Sequence, residues 1–281
     1  MLSIDEFNIT QAVIARHAAA GDERLRELMT SLVQHLHGFA REARLTEGEW
    51  SAGLRFLAEC ADRGPARHDL ARLSEALGVS MLVAAQSRRV PRGCTEAAFA
   101  GPRPAAGAPR RAHGDDIAGG AAGEPCYVRA VVRALDGAPI AGADVQVWQC
   151  GDDGEAGPAA GAFTTAADGR VHFRTVLAAP HPIARDGPVP RLLHALGRHA
   201  WRPAHLHFAI EAPGCEPLVT QVLRGDDPYL DSDAAFGVRA SLVADWIHHG
   251  PGLAPDGRPS AVPFTTVDFA FVLNSRQGDR P

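Results

Sequence analysis

Tyrosine occurs twice in this chain of 281 residues, as Tyr127 and Tyr229. Phenolate chemistry therefore has two candidates only. No apolar run approaches the roughly 18 residues that cross a bilayer, so no membrane span is expected. The opening stretch MLSIDEFNIT lacks the basic start and apolar core of a secretory leader, which points to the cytoplasm. The five cysteines, Cys60, Cys94, Cys126, Cys150 and Cys215, are odd in number, scattered and without a CxxC pair. That argues against a disulfide framework and for free, mostly buried thiols. No excess of positive charge is present. The formal net charge is −5, which argues against nucleic acid as the partner. No internal repeat of solenoid or propeller length is visible.

What is present begins with helix. In DERLRELMTSLVQHLHGFAREA, Leu25, Leu28, Met29, Leu32, Val33, Leu36 and Phe39 recur at three- and four-residue steps, one apolar face of a helix. Thr46 and Glu49 form a capping box for a second helix carrying Trp50, Leu54 and Leu57. A third carries Leu70, Leu73 and Leu77 and stops near Gly78. These helices bury little among themselves and call for a further domain or a second subunit to pack on. Residues 86–125 are rich in Gly, Pro and Ala without helical or strand period, and read as loop or linker.

From Tyr127 the pattern turns to strand. YVRAVVRALDGAPIAGADVQVWQC reads as two short strands about an Asp-Gly turn. DGRVHFRTVL, AHLHFAIEAPG, LVTQVLRGDD and TVDFAFVLN continue the series. No helix between them is long enough for a parallel crossover. The expected fold is mostly β, an antiparallel β-sandwich preceded by an α-helical region.

His205 and His207 stand two apart on one of these strands, and so on one face. Two imidazoles on a face can chelate one metal ion, although a pair of half-exposed histidines would look the same. Arg202-Pro203 leads into the pair, and His181 lies on a proline-braced loop able to return over it. Three neutral imidazoles would leave open positions, as catalytic metal sites require.

At these residues the chain resembles the intradiol ring-cleavage dioxygenases, above all those acting on hydroxyquinol and chlorocatechol. LGVSMLV (77–83), DGAPIAGADVQVWQ (136–149), DGRVHFRT (168–175), DGPVPRLL (186–193), GRHAWRPAHLHF (197–208), VTQV (219–222) and GDDPYLDSDAAFGV (225–238) carry the likeness along nearly the whole chain. The resemblance implies a helical N-terminal dimerisation region over 1–100, a linker to about 125 and a β-sandwich catalytic domain over 101–281. It also implies a homodimer through the N-terminal helices, with a lipid-like ligand possible between them. It implies iron, dioxygen as co-substrate and an aromatic diol as substrate. His205 and His207 fall on the family's histidine ligands, Arg202 on the arginine that stabilises the bound catecholate, and Gln221 on a polar residue near the substrate. Phe99 and Gly101 match the block lining the substrate pocket.

The family's two tyrosine ligands have no counterpart. His181 occupies one position and Ala156 the other. Losing two hard anions disfavours Fe(III). A site of His181, His205 and His207 suits one divalent ion per chain, with Fe(II), Cu(II), Zn(II) and Ni(II) all compatible. His181 would also be able to take a substrate proton near neutral pH, and Arg202 would stabilise an anionic oxygen. Two other readings stand beside this oxidative one. One is a non-catalytic, dimeric binding protein. The other is a non-redox enzyme using Zn-type Lewis acidity. Cys150, near the lost ligand position at Ala156, is a candidate to approach the metal but reads more simply as a strand end; Asp152, Asp153 and Glu155 flank Ala156 as candidate anionic ligands but read more simply as solvated loop charges; Asp226, Asp227, Asp231 and Asp233 form an acidic cluster able to bind a cation but read more simply as turn caps; Trp148 and Trp201 read as core.

Overall fold

The structure, a computed structural model, describes residues 4–62, 68–87, 90–104 and 107–276. The chain divides into two compact units, Met1–Glu59 and Cys60–Pro281. The first contains α1 (Ile9–Arg16), α2 (Glu23–Glu42) and most of α3 (Glu47–Asp62). Asp22 caps α2 by accepting from the Leu25 amide at 3.0 Å. Thr46 and Glu49 form the expected capping box, the Thr46 amide donating to Glu49 Oε2 at 2.9 Å and the Glu49 amide to Thr46 Oγ1 at 3.3 Å. Leu25, Leu28, Met29, Leu32, Leu36 and Phe39 form the periodic stripe of α2, and all are exposed.

The second unit holds α4 (Asp69–Ala76), α5 (Val79–Ser87) and α6 (Pro188–Ala195), with α4 packed on both of the others. Its strands are β1 (Pro125–Ala134), β2 (Asp144–Cys150), β3 (Ala156–Thr164), β4 (Arg170–Val176), β5 (His181–Pro182), β6 (Trp201–Arg202), β7 (His205–Glu211), β8 (Leu218–Arg224), β9 (Val243–Ala244), β10 (Trp246–His249), β11 (Gly252–Leu253), β12 (Pro259–Ser260) and β13 (Phe264–Leu273). One sheet runs β10-β13-β1-β4 and the other β3-β2-β7-β8-β9. Most ladders are antiparallel, as expected; β1–β13 and β8–β9 are parallel. Alternate residues of the two sheets meet in one core. Val128, Val132 and Phe271 come from the first sheet, and Val145, Val147, Leu206, Phe208, Ile210 and Val222 from the second.

β1 and β2 flank the Asp136-Gly137 turn, as expected, and they belong to different sheets: β1 pairs β4 and β13, while β2 pairs β3 and β7. After the turn the chain folds back only briefly, the Ile140 amide donating to Val132 O at 2.9 Å. Thr165 then takes over, its hydroxyl donating to Ile140 O at 2.7 Å and accepting from the Ala143 amide at 2.8 Å. That exchange carries β2 into the other layer. Between α5 and β1 the described residues of the Gly/Pro/Ala-rich stretch are loop, as expected, and they are tied to the sandwich. Ile117 lies fully buried in the core, and Arg111 and Ile117 donate backbone hydrogen bonds to Ala162 O and Arg174 O at 2.9 and 2.8 Å.

Candidate active site

The alternation of β7 builds the site. Leu206, Phe208 and Ile210 point into the sandwich core, so the pleat turns His205 and His207 to the opposite face. Strand register then places their neighbours. Trp148 on β2 and Gln221 on β8 lie directly opposite His207. The Trp148 ring stacks on His207 at 5.2 Å with an interplanar angle of 7°. Trp148 is therefore core, as expected, and also one wall of the site. Trp201 is not core. It is 40% exposed and stacks on Tyr229. The short β5–β6 ladder pairs His181 with Arg202, which brings the proline-braced loop back over the histidine pair.

His181, Arg202, His205, His207 and Gln221 are all buried. His205 Nε2 and His207 Nε2 stand 2.9 Å apart, and the His181 and His205 ring centres 5.2 Å apart. Backbone carbonyls settle two of the tautomers. His205 Nδ1 donates to Pro203 O at 2.7 Å and His181 Nδ1 to Pro182 O at 3.1 Å. Each ring therefore presents a bare Nε2 lone pair. His181 Nε2 is buried without a hydrogen-bond partner, as is His207 Nδ1. Orphaned buried acceptors of this kind ask for a donor or a cation. Among the described residues, no group of three or more His, Cys, Asp or Glu side chains is gathered around a common point to hold a metal ion. The two converging nitrogens of His205 and His207 are the nearest approach to one.

Charge keeps the rings neutral. Burial, and after it the Arg202 cation, push His181 down to about 4. Burial followed by Arg202 and His181 holds His205 well below its ordinary value, and burial followed by His205 and Arg202 does the same for His207. Arg202 is held by Asp233, Nε donating to Oδ1 at 3.0 Å and Nη2 to Oδ2 at 3.2 Å. Burial would raise the Asp233 carboxyl, but Arg202 and the Ala235 and Gly237 amides outweigh it and keep it low. Arg202 Nη2 also donates to Gln221 Oε1 at 3.3 Å, and Gln221 Nε2 to Gly237 O at 2.7 Å. The guanidinium lies 4.7 Å above the Phe99 ring.

A cavity of about 250 Å³ opens onto this cluster, lined among others by Arg72, Glu75, Gly101, Arg103, His181 and Arg202. Gly101 does line it. Ala156 begins β3 opposite Cys150, and Phe99 lies beneath Arg202. Neither tyrosine lines the cavity. Tyr127 packs on Phe264 and Ala254, and Tyr229 on Trp201 and His199.

Sequence reasoning missed several members. Asp233 caps a turn as expected, but it is also the buried partner of Arg202, 31 residues away, and no local pattern marks that pair. Glu155 is more than a solvated charge: its Oε1 lies 2.6 Å from Arg72 Nη2, whose side chain is 3% exposed. Glu75 carries no signal beyond its place on α4.

Burial raises the Glu75 carboxyl to about 7 against the opposing pull of Arg202 and Arg72. The fold thus holds this proton more tightly than the unfolded chain does. Its contribution to stability falls as pH climbs from about 4.5 to about 7 and stays low above that. Glu75→Gln should gain about 2 kcal/mol over the parent at about pH 8, after allowance for solvent reaching the carboxyl through the cavity, and nothing at about pH 4. Melting curves at the two pH values test this, with an expected rise of roughly 4–8 °C at the higher one only. An equal change at both would show that Glu75 does not titrate in this way.

Known proteins place the chain in a family. Residues 102–275 match the family model described as dioxygenase, and residues 22–95 the one described as catechol dioxygenase N terminus. A 6-chlorohydroxyquinol 1,2-dioxygenase of Cupriavidus pinatubonensis is 48% identical, over 98% of this chain and 99% of that one. An intradiol ring-cleavage dioxygenase of Aspergillus niger is 37% identical, over 99% of this chain and 87% of that one. The crystal structure of hydroxyquinol 1,2-dioxygenase from Pseudomonas putida DLL-E4 superposes with a TM-score of 0.87 at 37% identity, over 96% of this chain and 99% of that one. Helical N-terminal region, two-layered sandwich and full-length matches agree, and the chain belongs to the intradiol ring-cleavage dioxygenase family.

Proposed function

We propose that this protein is a metal-dependent dioxygenase acting on an aromatic diol of the hydroxyquinol or catechol type, at a site whose imidazoles are His181, His205 and His207. The observation that supports it most is the convergence of two buried imidazole nitrogens, 2.9 Å apart, beside a buried arginine that, with His181, lines a cavity. The relatives named for hydroxyquinol and chlorohydroxyquinol support the substrate class.

A ferric ion held by phenolates does not fit this cluster, because neither Tyr127 nor Tyr229 lines it. Neutral imidazoles, with bare Nε2 atoms on His181 and His205, fit a divalent ion, ferrous iron included, with copper or zinc also compatible. Such an ion, when bound, would supply Lewis acidity and a common binding point for the diol and dioxygen. The protein's own residues do the rest. Arg202, fixed by Asp233 and Gln221, places a permanent positive charge where a diol oxygen becomes anionic. His181, its Nδ1 engaged by Pro182 O, offers Nε2 to hold the ion; burial and Arg202 push it down to about 4, so it is not the proton acceptor near neutral pH that the sequence led one to expect. Phe99 and Trp148 exclude water from one side. The exposed apolar stripe of α2 supports assembly as a homodimer through the N-terminal helices.

Metal content and the visible spectrum of the purified protein test this reading. The expected result is a protein without the intense tyrosinate-to-iron colour, carrying about one divalent ion per chain, which His181→Ala loses. Intense tyrosinate colour, or no bound metal at all, would overturn it.

A further inference from the structure

We infer that Arg198 is a positioning residue for the reaction: it pins the turn that holds Arg202 to the end of α4, the helix whose side chains wall the cavity. This role rests on the reading of Arg202 as the cation that meets the diol. It extends that reading to a residue that does not itself line the cavity.

The local fold aims Arg198. Helix α6 is followed by Gly197, which takes φ of +70°. The Gly197 amide donates to His194 O at 2.9 Å and the Arg198 amide to Leu193 O at 2.8 Å. These are the two closing bonds of a Schellman cap. Leu193 is buried, so the backbone that carries Arg198 is anchored. From there the guanidinium reaches two other elements. Its Nη1 donates to Ala76 O at 2.8 Å and its Nη2 to Ala234 O at 3.0 Å. Ala76 is the last residue of α4, where helix carbonyls lack an intrahelical partner and a cation is favoured. The guanidinium also lies 4.6 Å over the Phe236 ring. The same ring packs beside Gly78, just past α4.

Phe236 shows that the turn is held. Its φ of +55° is a left-handed conformation that bulky side chains rarely adopt. Such a conformation persists where the surroundings impose it. Here it lets three amides converge on Asp233. Those of Ala235 and Gly237 donate to its carboxylate at 3.1 and 2.8 Å, and that of Phe236 to its carbonyl at 3.0 Å. Arg198 grips this turn on both sides of Ala235, at the Ala234 carbonyl and at the Phe236 ring.

The end of the turn leaves no slack. A Cβ on Gly237 would stand 2.7 Å from Arg202 Nη2, 2.9 Å from Gln221 Nε2 and 3.1 Å from Asp233 Oδ2. The Gly237 backbone therefore abuts the Arg202 guanidinium, and a shift of the turn is a shift of Arg202. At its other end Arg198 holds Ala76, the neighbour of Glu75, which lines the cavity with Arg72. One side chain thus ties Arg202 to the α4 side of the cavity.

4-Nitrocatechol tests this role. Its visible spectrum reports how much of the bound diol is ionised, and a cation beside it raises that fraction. Arg202→Met with Asp233→Leu is the reference without the cation. All proteins are compared at equal metal content and at a pH where the free probe is mostly protonated. The parent should show a bound probe well more ionised than the reference does. Arg198→Met keeps the length of the stem and loses both carbonyl bonds. It should lower the ratio of ionised to protonated bound probe about 10-fold, and kcat/KM on an aromatic diol about 10–100-fold. Arg198→Lys, with a point charge in place of the fork, should fall between. It carries the comparison should the methionine variant fold poorly, with circular dichroism as the check. A parent-like ionised fraction in the folded variants would overturn the positioning role, whatever the change in melting temperature. A parent that ionises the probe no more than the reference would overturn the reading of Arg202 as well.

Discussion

Asp233→Ala should lower the stability of this protein by about 3–5 kcal/mol, the cost of leaving a buried guanidinium without its carboxylate. Arg202 and Asp233 are 2% and 5% exposed and share two hydrogen bonds. Asp233 also accepts from the Ala235 and Gly237 amides at 3.1 and 2.8 Å, so its loss leaves two further donors unpaired. Arg202, at 2% exposure, meets too little water to replace the carboxylate. The melting temperature should fall by roughly 10 °C or more. Replacing both partners, Arg202→Met with Asp233→Leu, should recover much of that stability, since an apolar pair carries no desolvation cost. It should recover no activity, because the cation facing the substrate is gone. Chemical denaturation of the three variants decides the matter. A loss below about 1 kcal/mol in Asp233→Ala would mean that the pair is solvated in solution.

Gly101→Ala should cost about 100-fold in kcat/KM on an aromatic diol with a much smaller loss of stability. Gly101 has φ of +59°, a left-handed conformation that costs other residues about 1 kcal/mol. A Cβ there would stand 2.7 Å from His207 Cε1 and 3.0 Å from Nε2. The ring is pinned against Trp148 on its other side, so the imidazole must leave its place or the Gly101 loop must. Either movement separates His207 Nε2 from His205 Nε2, and with it the ability to hold an ion. Metal affinity and activity should fall together while the melting temperature drops by only about 2–4 °C. Unchanged metal affinity would show that His207 does not bind the ion.

Much of the fold was legible in the residues. Thr46 and Glu49 announced a helix start because a capping box is local, and the period-two pattern of HLHFAIE announced both a strand and the face its histidines occupy. The Asp136-Gly137 turn shows the limit of local reading. The turn is legible, but Thr165, more than twenty residues on, decides where β2 goes. Segment 107–124 reads as loop because its ties are scattered backbone hydrogen bonds and ion pairs to β2, β3 and β4, which leave no periodic trace. In the site, His181, Arg202, His205, His207 and Gln221 were all named, the histidine pair by its spacing and the others with the help of the family resemblance, and the structure brings them together. Asp233 was taken for a turn cap and Glu75 was passed over. Their roles depend on register and on partners far along the chain, and neither is written in the composition of the segment that holds them.

The parallel ladder between β1 and β13 bears on how the chain reaches this fold. Its rungs run from Cys126–Thr265 to Ala134–Leu273, and the Arg129–Asp268 ion pair that crosses it spans 139 residues. During synthesis β1 emerges early and can pair at once only with β4. Its other edge stays open until residues 264–273 have been made. Loop closure on that scale is slow, and sheets dominated by such distant pairings fold in milliseconds to seconds. Over that interval the apolar face of β1, with Val128 and Val132, has no neighbour on one side and offers a template to any other nascent chain. The arrival of β13 therefore closes an edge of β1 that, until then, is open to pairing with another chain.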